Sequence, residues 1–176
     1  VLVGYIGLLF VTVKLFQMVP TGFIPSQDQG YVLINLQMPE SASVQRTSEI
    51  MSQLEKISLE TPGVKSTFAV SGFTVLLSMS GPNYGSIFVI LDDFDHRREA
   101  NLKGNAIMLA LRQRFREEIK DGVVSVFGAP PVPGLGTAGG FKAMVEDRSD
   151  LGAAELDKHT TNLLVEGRKN SGFFGL

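Results

Sequence analysis

VKSTFAVSGFTVLLSMSGPNYGSIFVILDD, residues 64–93, is the stretch on which the fold turns. Its two ends carry the apolar, β-branched composition of strands, over 64–71 and 86–93. The fourteen residues between, 72–85, read as a loop too long for a hairpin turn. Phe68, Phe73 and Phe88 stand in or beside that loop, and Gly72, Gly81 and Gly85 punctuate it. A loop in water should be polar, yet this one carries Val75, Leu76, Leu77 and Met79. An apolar, glycine-hinged loop between strands either covers a core or lines a pocket that changes shape.

Outward from this stretch the elements alternate. Upstream, Ser41 or Ser43 can cap a helix running to about Leu59, with Val44, Thr47, Met51, Leu54 and Ile57 on one stripe and Pro62-Gly63 as its stop. Before it, Tyr31 to Met38 alternates, with Val32, Ile34, Leu36 and Met38 on one face. Downstream, a helix is predicted from Asn101 to Ile119, with Ile107, Met108, Leu111, Phe115 and Ile119 inward. Asp121-Gly122 is a turn and Val123 to Phe127 a strand. The order from Tyr31 to Phe127 is β-α-β-β-α-β. This predicts an α+β fold of the ferredoxin-like, split βαβ kind: an antiparallel four-stranded sheet with two helices on one face. A further strand over Phe141–Glu146 and a helix from Leu151 to about Glu166 begin a second unit.

Val1 to Val19 is apolar and carries no charge before Lys14. As a helix it would be about 28 Å long, close to the roughly 30 Å hydrocarbon core of a bilayer. A signal peptide would place its basic residue before the apolar run, not after it. A membrane-spanning helix is therefore expected, with a buried soluble helix as the competing reading. The expected organisation is a truncated transmembrane helix over 1–19, a connector over 20–30, a ferredoxin-like subdomain over 31–139 and an incomplete second unit over 140–176. The chain reads as a piece of a longer protein, cut at both ends.

Composition narrows the chemistry. Sixteen basic and eighteen acidic residues give a net charge of −2, which argues against nucleic acid as a partner. The absence of cysteine excludes disulfides and thiolate chemistry. Gly134, Gly136 and Gly139 spell G-x-G-x-x-G, but prolines precede them and a strand-like FKAMVE follows, so no helix N-terminus is there to hold a phosphate. Asp92, Asp93, Asp95 and His96 could ligate a metal, but they sit where a strand hands over to a helix and Arg97-Arg98 follow at once. His159 reads as a surface histidine. No enzyme active site and no cofactor are expected. The phenylalanines are left as core packing or as a weak, adaptable apolar site.

At this level the sequence resembles the resistance-nodulation-division (RND) multidrug efflux pumps. The likeness runs through VPTGFIPSQDQGYVLINLQMPESAS (19–43), FAVSGF (68–73), PNYGSIFVIL (82–91), FDHR (94–97), RQRF (112–115), VFGAPPVPGLGTAGGF (126–141) and DRSDLG (147–152). The resemblance implies a proton-driven antiporter of the inner membrane, homotrimeric, with this segment in the periplasm. It implies export of amphiphilic compounds through a periplasmic adaptor protein and an outer-membrane channel. It places Phe68, Phe73 and Phe88 at aromatic positions of the substrate pocket, Gly72 to Gly85 at the switch loop, and Phe141 in an outer pocket beside a substrate entrance. Val75 stands where well-studied members carry a second loop phenylalanine, and Ala143 where they carry another aromatic. Two other readings remain open: a membrane-tethered ferredoxin-like ligand-binding or regulatory module, and a structural member of a protein-export complex.

Overall fold

The computed structural model describes residues 2–18, 27–132, 136, 138–140 and 143–170. They divide into two compact units, one up to Gly140 and one beyond it.

The first unit contains α1 (Leu2–Met18), β1 (Tyr31–Gln37), α2 (Val44–Leu59), β2 (Val64–Thr74), β3 (Met79–Leu91), α3 (Gly104–Glu118) and β4 (Val123–Gly128), with 3-10 turns at Phe94–His96 and Ala100–Leu102. The four strands form one sheet in the order β2-β3-β1-β4, every neighbouring pair antiparallel. The fold is thus mixed α+β with an antiparallel four-stranded sheet.

One face of the sheet builds the core. Val32, Ile34 and Leu36 of β1 point to it with Ile87, Val89 and Leu91 of β3 and Val126 of β4. Ile50, Met51, Leu54 and Ile57 of α2 and Ile107, Leu111 and Phe115 of α3 cover them. These are the helix stripes the 3.6-residue period predicts, with two differences in α2: Val44, at its start, is exposed, and Ile50, outside the predicted stripe, is buried. Ser43 caps α2, its Oγ accepting from Arg46 N at 3.3 Å. Replacing Ser43 by alanine removes that acceptor, and about 1 kcal/mol of stability should go with it. An unchanged urea midpoint in Ser43→Ala would show that the cap contributes nothing. Arg114 ties the two helices together, donating to Ile57 O and pairing with Glu60 and Glu118. Arg112 donates to the Val126 carbonyl on the edge strand β4.

The described part of the expected span over 1–19 is α1, 17 residues long and exposed along its whole length. Among the described residues no helix is long and apolar enough to cross a membrane.

In the second unit, α4 covers Ala153–Arg168. It is preceded by a turn bracketed by Asp147, whose carboxylate accepts from Ser149 N and Gly152 N, both at 2.9 Å. Those backbone donors, Gly152 first, hold the Asp147 carboxyl below its ordinary value. The strand expected over 141–146 is not formed in its described part: residues 143–146 belong to no ladder. A strand is defined by a neighbour that takes its backbone hydrogen bonds, and the only sheet among the described residues is the one formed by β1–β4. His159 is exposed on α4, 3.5 Å from Glu155.

Candidate functional site

The sheet has a second face, turned away from α2 and α3. Strand alternation places Tyr31, Leu33, Asn35 and Gln37 of β1 there, because their neighbours Val32, Ile34 and Leu36 face the helices. Register then fixes the rest, since directly paired residues share a face. Phe68 pairs with Phe88, Phe88 with Leu33, and Leu33 with Phe127, so one apolar row crosses all four strands. The next row is Val70, Ser86, Asn35 and Ser125, mostly polar.

Two rings of the apolar row touch each other, and Tyr31, beside the row, touches one of them. The centroids of Phe68 and Phe88 are 6.4 Å apart, tilted by 39°, and Tyr31 and Phe88 are 6.5 Å apart at 47°. Both distances lie in the range where aromatic pairs attract beyond their buried area. Phe68 is 62% exposed and Phe88 half-buried, whereas Leu33 is 1% exposed, so the row is open at its β2 end and closed over β1.

The stretch expected to be a long loop is largely strand. β2 continues to Thr74 and β3 starts at Met79, leaving Val75–Ser78 as a four-residue turn with Ser78 at φ 53°. The pairing shifts between Ser71, opposite Gly85, and Phe73, opposite Ser80. Gly72 on β2 therefore faces four residues, Gly81 to Tyr84, on β3. Such an irregularity bends and twists a hairpin, which is how an apolar, glycine-rich segment can remain in a ladder.

The bend carries the hairpin tip over the second face. Thr74 Oγ1 donates to Asn35 Oδ1 at 2.6 Å, although β3 lies between their strands. With strands about 4.8 Å apart, that contact requires the tip to cross β3. Two further bonds mark the crossing: Val75 N donates to Ser86 Oγ at 3.0 Å, and Ser86 Oγ donates to Phe73 O at 3.2 Å. Thr74 and Ser86 are fully buried as a result, and Asn35 nearly so.

The three named glycines occupy different settings. Gly72 has φ +83°, and a Cβ there would meet nothing closer than 3.9 Å. Gly81 starts a segment that is pinned: Met38 N donates to Asn83 O, Asn83 Nδ2 to Met38 O, and Thr47 Oγ1 to Pro82 O. Gly85 is in regular pairing with Leu36 and Ser71, beneath Met51. Gly72 is the one of the three with both a positive φ and room to move.

Of the residues singled out in the sequence, the structure brings Phe68 and Phe88 into ring contact. It ties the main chain of Phe73 and Val75 to the same face through Ser86. Phe141 lies outside the described residues. Tyr31, Leu33, Asn35, Thr74, Ser86 and Phe127 join the face without having been singled out. Alternation alone assigns Tyr31, Leu33 and Asn35 to it; Thr74, Ser86 and Phe127 follow from register or from the bend.

The acidic cluster resolves into ion pairs. Asp93 pairs with Lys65 at 3.3 Å and Asp95 with Arg98 at 2.9 Å. Arg97 has a different setting. Its side chain is 1% exposed and pairs with Asp28 at 2.8 Å. Its Nε donates to Asp92 O and Nη1 to Leu102 O, and the guanidinium lies 4.9 Å from the Phe94 ring. Asp28 also accepts from Gly30 N and from Gly104 N at the start of α3.

Comparison with known proteins identifies the family. The model of the AcrB/AcrD/AcrF family matches residues 1–173. An antibiotic efflux pump membrane transporter, ArpB, of Pseudomonas putida is 30% identical over 174 residues, which is 96% of this chain and 16% of the relative. The toluene efflux pump membrane transporter TtgB, also of Pseudomonas putida, is 30% identical over the same shares. The multidrug export protein AcrF of Escherichia coli is 32% identical over 154 residues, 86% of this chain and 15% of the relative. The chain thus spans about one sixth of the length of the curated relatives it matches.

Proposed function

We propose that this chain, which belongs to the AcrB/AcrD/AcrF family of RND efflux transporters, supplies the cargo-contacting porter region of a pump that exports amphiphilic and apolar compounds. The observation that carries the reading is the aromatic row. Phe68, Phe88 and Tyr31 lie on the sheet face away from the helices, partly open, beside a hairpin tip bent across that face. Core phenylalanines would lie on the other face. Rings without a ring of donors around them bind varied guests weakly, which suits a cargo that must also leave. The names of the relatives, which speak of toluene, antibiotics and multidrug export, point to the same cargo class.

In this reading residues 31–139 form one ferredoxin-like subdomain, a description supported by the element order and by the β2-β3-β1-β4 sheet. Residues 140–176 begin its neighbour, with Phe141 in an outer pocket at the substrate entrance. The helix at α1 belongs to the membrane anchor, and 20–30 connects it to the periplasmic part. The pump is a proton-driven homotrimer of the inner membrane and works with an adaptor and an outer-membrane channel. Gly72, Gly81 and Gly85 bound its switch loop, in which Gly72 is placed to bend.

The test is the pair Phe68→Ala and Phe88→Ala in the complete transporter that carries this chain. Loss of one aromatic contact is worth about 0.5–1.5 kcal/mol, so each change should lower export of a bulky amphiphilic dye roughly two- to tenfold. The amount of assembled transporter should not fall. Export unchanged in the double variant, at equal protein level, removes the face from the cargo path. Phe73→Ala and Val75→Ala extend the series to the tip.

A further inference from the structure

The tip of the β2–β3 hairpin meets the sheet at a polar row, not at the aromatic one. Its three cross-sheet hydrogen bonds all end on Asn35 or Ser86. Ser86 serves twice, accepting from Val75 N and donating to Phe73 O. The groups involved are shielded from water: Thr74 and Ser86 are 0% exposed and Asn35 is 8% exposed. These bonds are non-local, since Thr74 and Asn35 are 39 positions apart. We propose that Asn35, Ser86 and Thr74 form a latch that makes this face select cargo carrying hydrogen-bonding groups over plain hydrocarbons.

This selectivity rests on the efflux reading above and on what opening the latch leaves behind. A guest that reaches the sheet beneath the tip must part Thr74 from Asn35 and Val75 from Ser86. If the guest is a hydrocarbon, the Thr74 hydroxyl, the Asn35 side-chain carbonyl and the Val75 N–H lose their partners without gaining water, while the Ser86 hydroxyl keeps only its bond to Phe73 O. Leaving buried polar groups unmade is far costlier than exchanging them. A guest with a hydroxyl, carbonyl or amide beside its aromatic part replaces the broken bonds while its ring rests on Phe88 and Phe68. A site built to hydrogen-bond rejects the analogue that lacks the group much more strongly than an apolar slot rejects an extra one. Asn35 and Ser86 are therefore specificity-determining residues, and the adjacent aromatic row supplies affinity without choice.

The experiment compares two cargoes of equal ring size, an aromatic hydrocarbon and its amide-bearing analogue, in the complete transporter. The wild type should export the amide in preference. In Asn35→Leu and in Ser86→Ala that preference should shrink by roughly tenfold, the effect of one buried partner no longer left unpaired. In the same proteins, amide hydrogen exchange over residues 73–77 should quicken, most at Val75 in Ser86→Ala. Thr74→Val, which keeps the side-chain volume and deletes only the donor, should act like Asn35→Leu if that variant assembles poorly. A cargo preference that survives all three variants overturns the selectivity, and unchanged exchange at Val75 overturns the latch. Export of neither compound by the wild type overturns the efflux reading and the selectivity together. Loss of export of both compounds in Phe68→Ala/Phe88→Ala, with the preference intact in Asn35→Leu, keeps the efflux reading and overturns only this one.

Discussion

Asp28→Ala is expected to destabilise the chain by about 3–5 kcal/mol, more than removal of Arg97 itself. The asymmetry comes from which charge is buried. The Arg97 side chain is 1% exposed, whereas that of Asp28 keeps 29% of its surface in contact with water. Deleting the carboxylate strands a guanidinium whose other contacts are the Asp92 and Leu102 carbonyls and the Phe94 ring. Deleting the guanidinium leaves a carboxylate that still accepts from Gly30 N and Gly104 N and still meets solvent. Arg97→Leu should therefore cost less, about 2 kcal/mol, and Asp28→Ala/Arg97→Leu should fall well short of the sum. Urea unfolding at pH 7 gives all three values. A larger loss in Arg97→Leu than in Asp28→Ala would reverse the assignment of the buried charge.

The same pair sets an acid limit. Burial pushes the Asp28 carboxyl up. The Arg97 hydrogen bond, the Gly30 and Gly104 N–H groups and the Arg97 charge together outweigh it, so the net shift is downward. A carboxyl with a folded pKa below its unfolded value, about 3.9, stabilises the fold fully above that value. The contribution is lost as pH falls through the lower, folded pKa. The wild type should thus shed this part of its stability below about pH 4, and Asp28→Asn should not. Because Asp28 lies just before β1 and its partners lie just before and at the start of α3, the pair fixes where the connector leaves the sheet. On the function proposed above, that position joins a membrane helix to the porter, so Asp28 variants are expected to lose assembled protein before they lose cargo preference.

The helices and the core were legible because their signal is local. The α2 stripe, its Ser43 cap and its Pro62-Gly63 stop all fall within one stretch, and so do Ile107, Leu111 and Phe115 of α3. The strand around Phe88 was legible, but whether its ring served the core or an apolar site was left open. The hairpin tip was not. Gly72, Gly81, Pro82 and Gly85 are the usual punctuation of a loop, and here they mark a bulge, a pinned segment and a close contact inside a ladder. A bulge interrupts the ladder locally and breaks alternation, so the period that announces a strand vanishes where the strand bends. Thr74 meeting Asn35 and Arg97 meeting Asp28 are contacts across 39 and 69 positions. No local pattern encodes them, and both took their importance from burial that the sequence does not display.

Gly85→Ala is expected to cost about 1–3 kcal/mol through overpacking, with Gly85→Val at the upper end. Gly85 is paired on both sides, with Leu36 and Ser71, and its backbone is not in the left-handed region. The added Cβ would itself be unstrained, and the conflict is with α2. It would overlap the Met51 sulfur, with Met51 Cγ and Cε at 3.0 and 3.1 Å. Met51 is 2% exposed and closed in by the core, so it cannot swing into solvent. The physical reason for glycine here is the close approach of a helix to a sheet, and flexibility is not required. That can be decided by a double-mutant cycle. Met51→Ala alone should cost about 2–5 kcal/mol as a cavity. Gly85→Ala placed in that background should cost little or even recover stability, because the new methyl fills the vacated volume. The two changes should thus couple by about 1 kcal/mol or more in urea unfolding. A hinge at Gly85 predicts the opposite: export lost in Gly85→Ala with stability intact and no coupling to Met51. Gly72, at φ +83° with open space around it, is where alanine should cost strain instead, with no dependence on Met51.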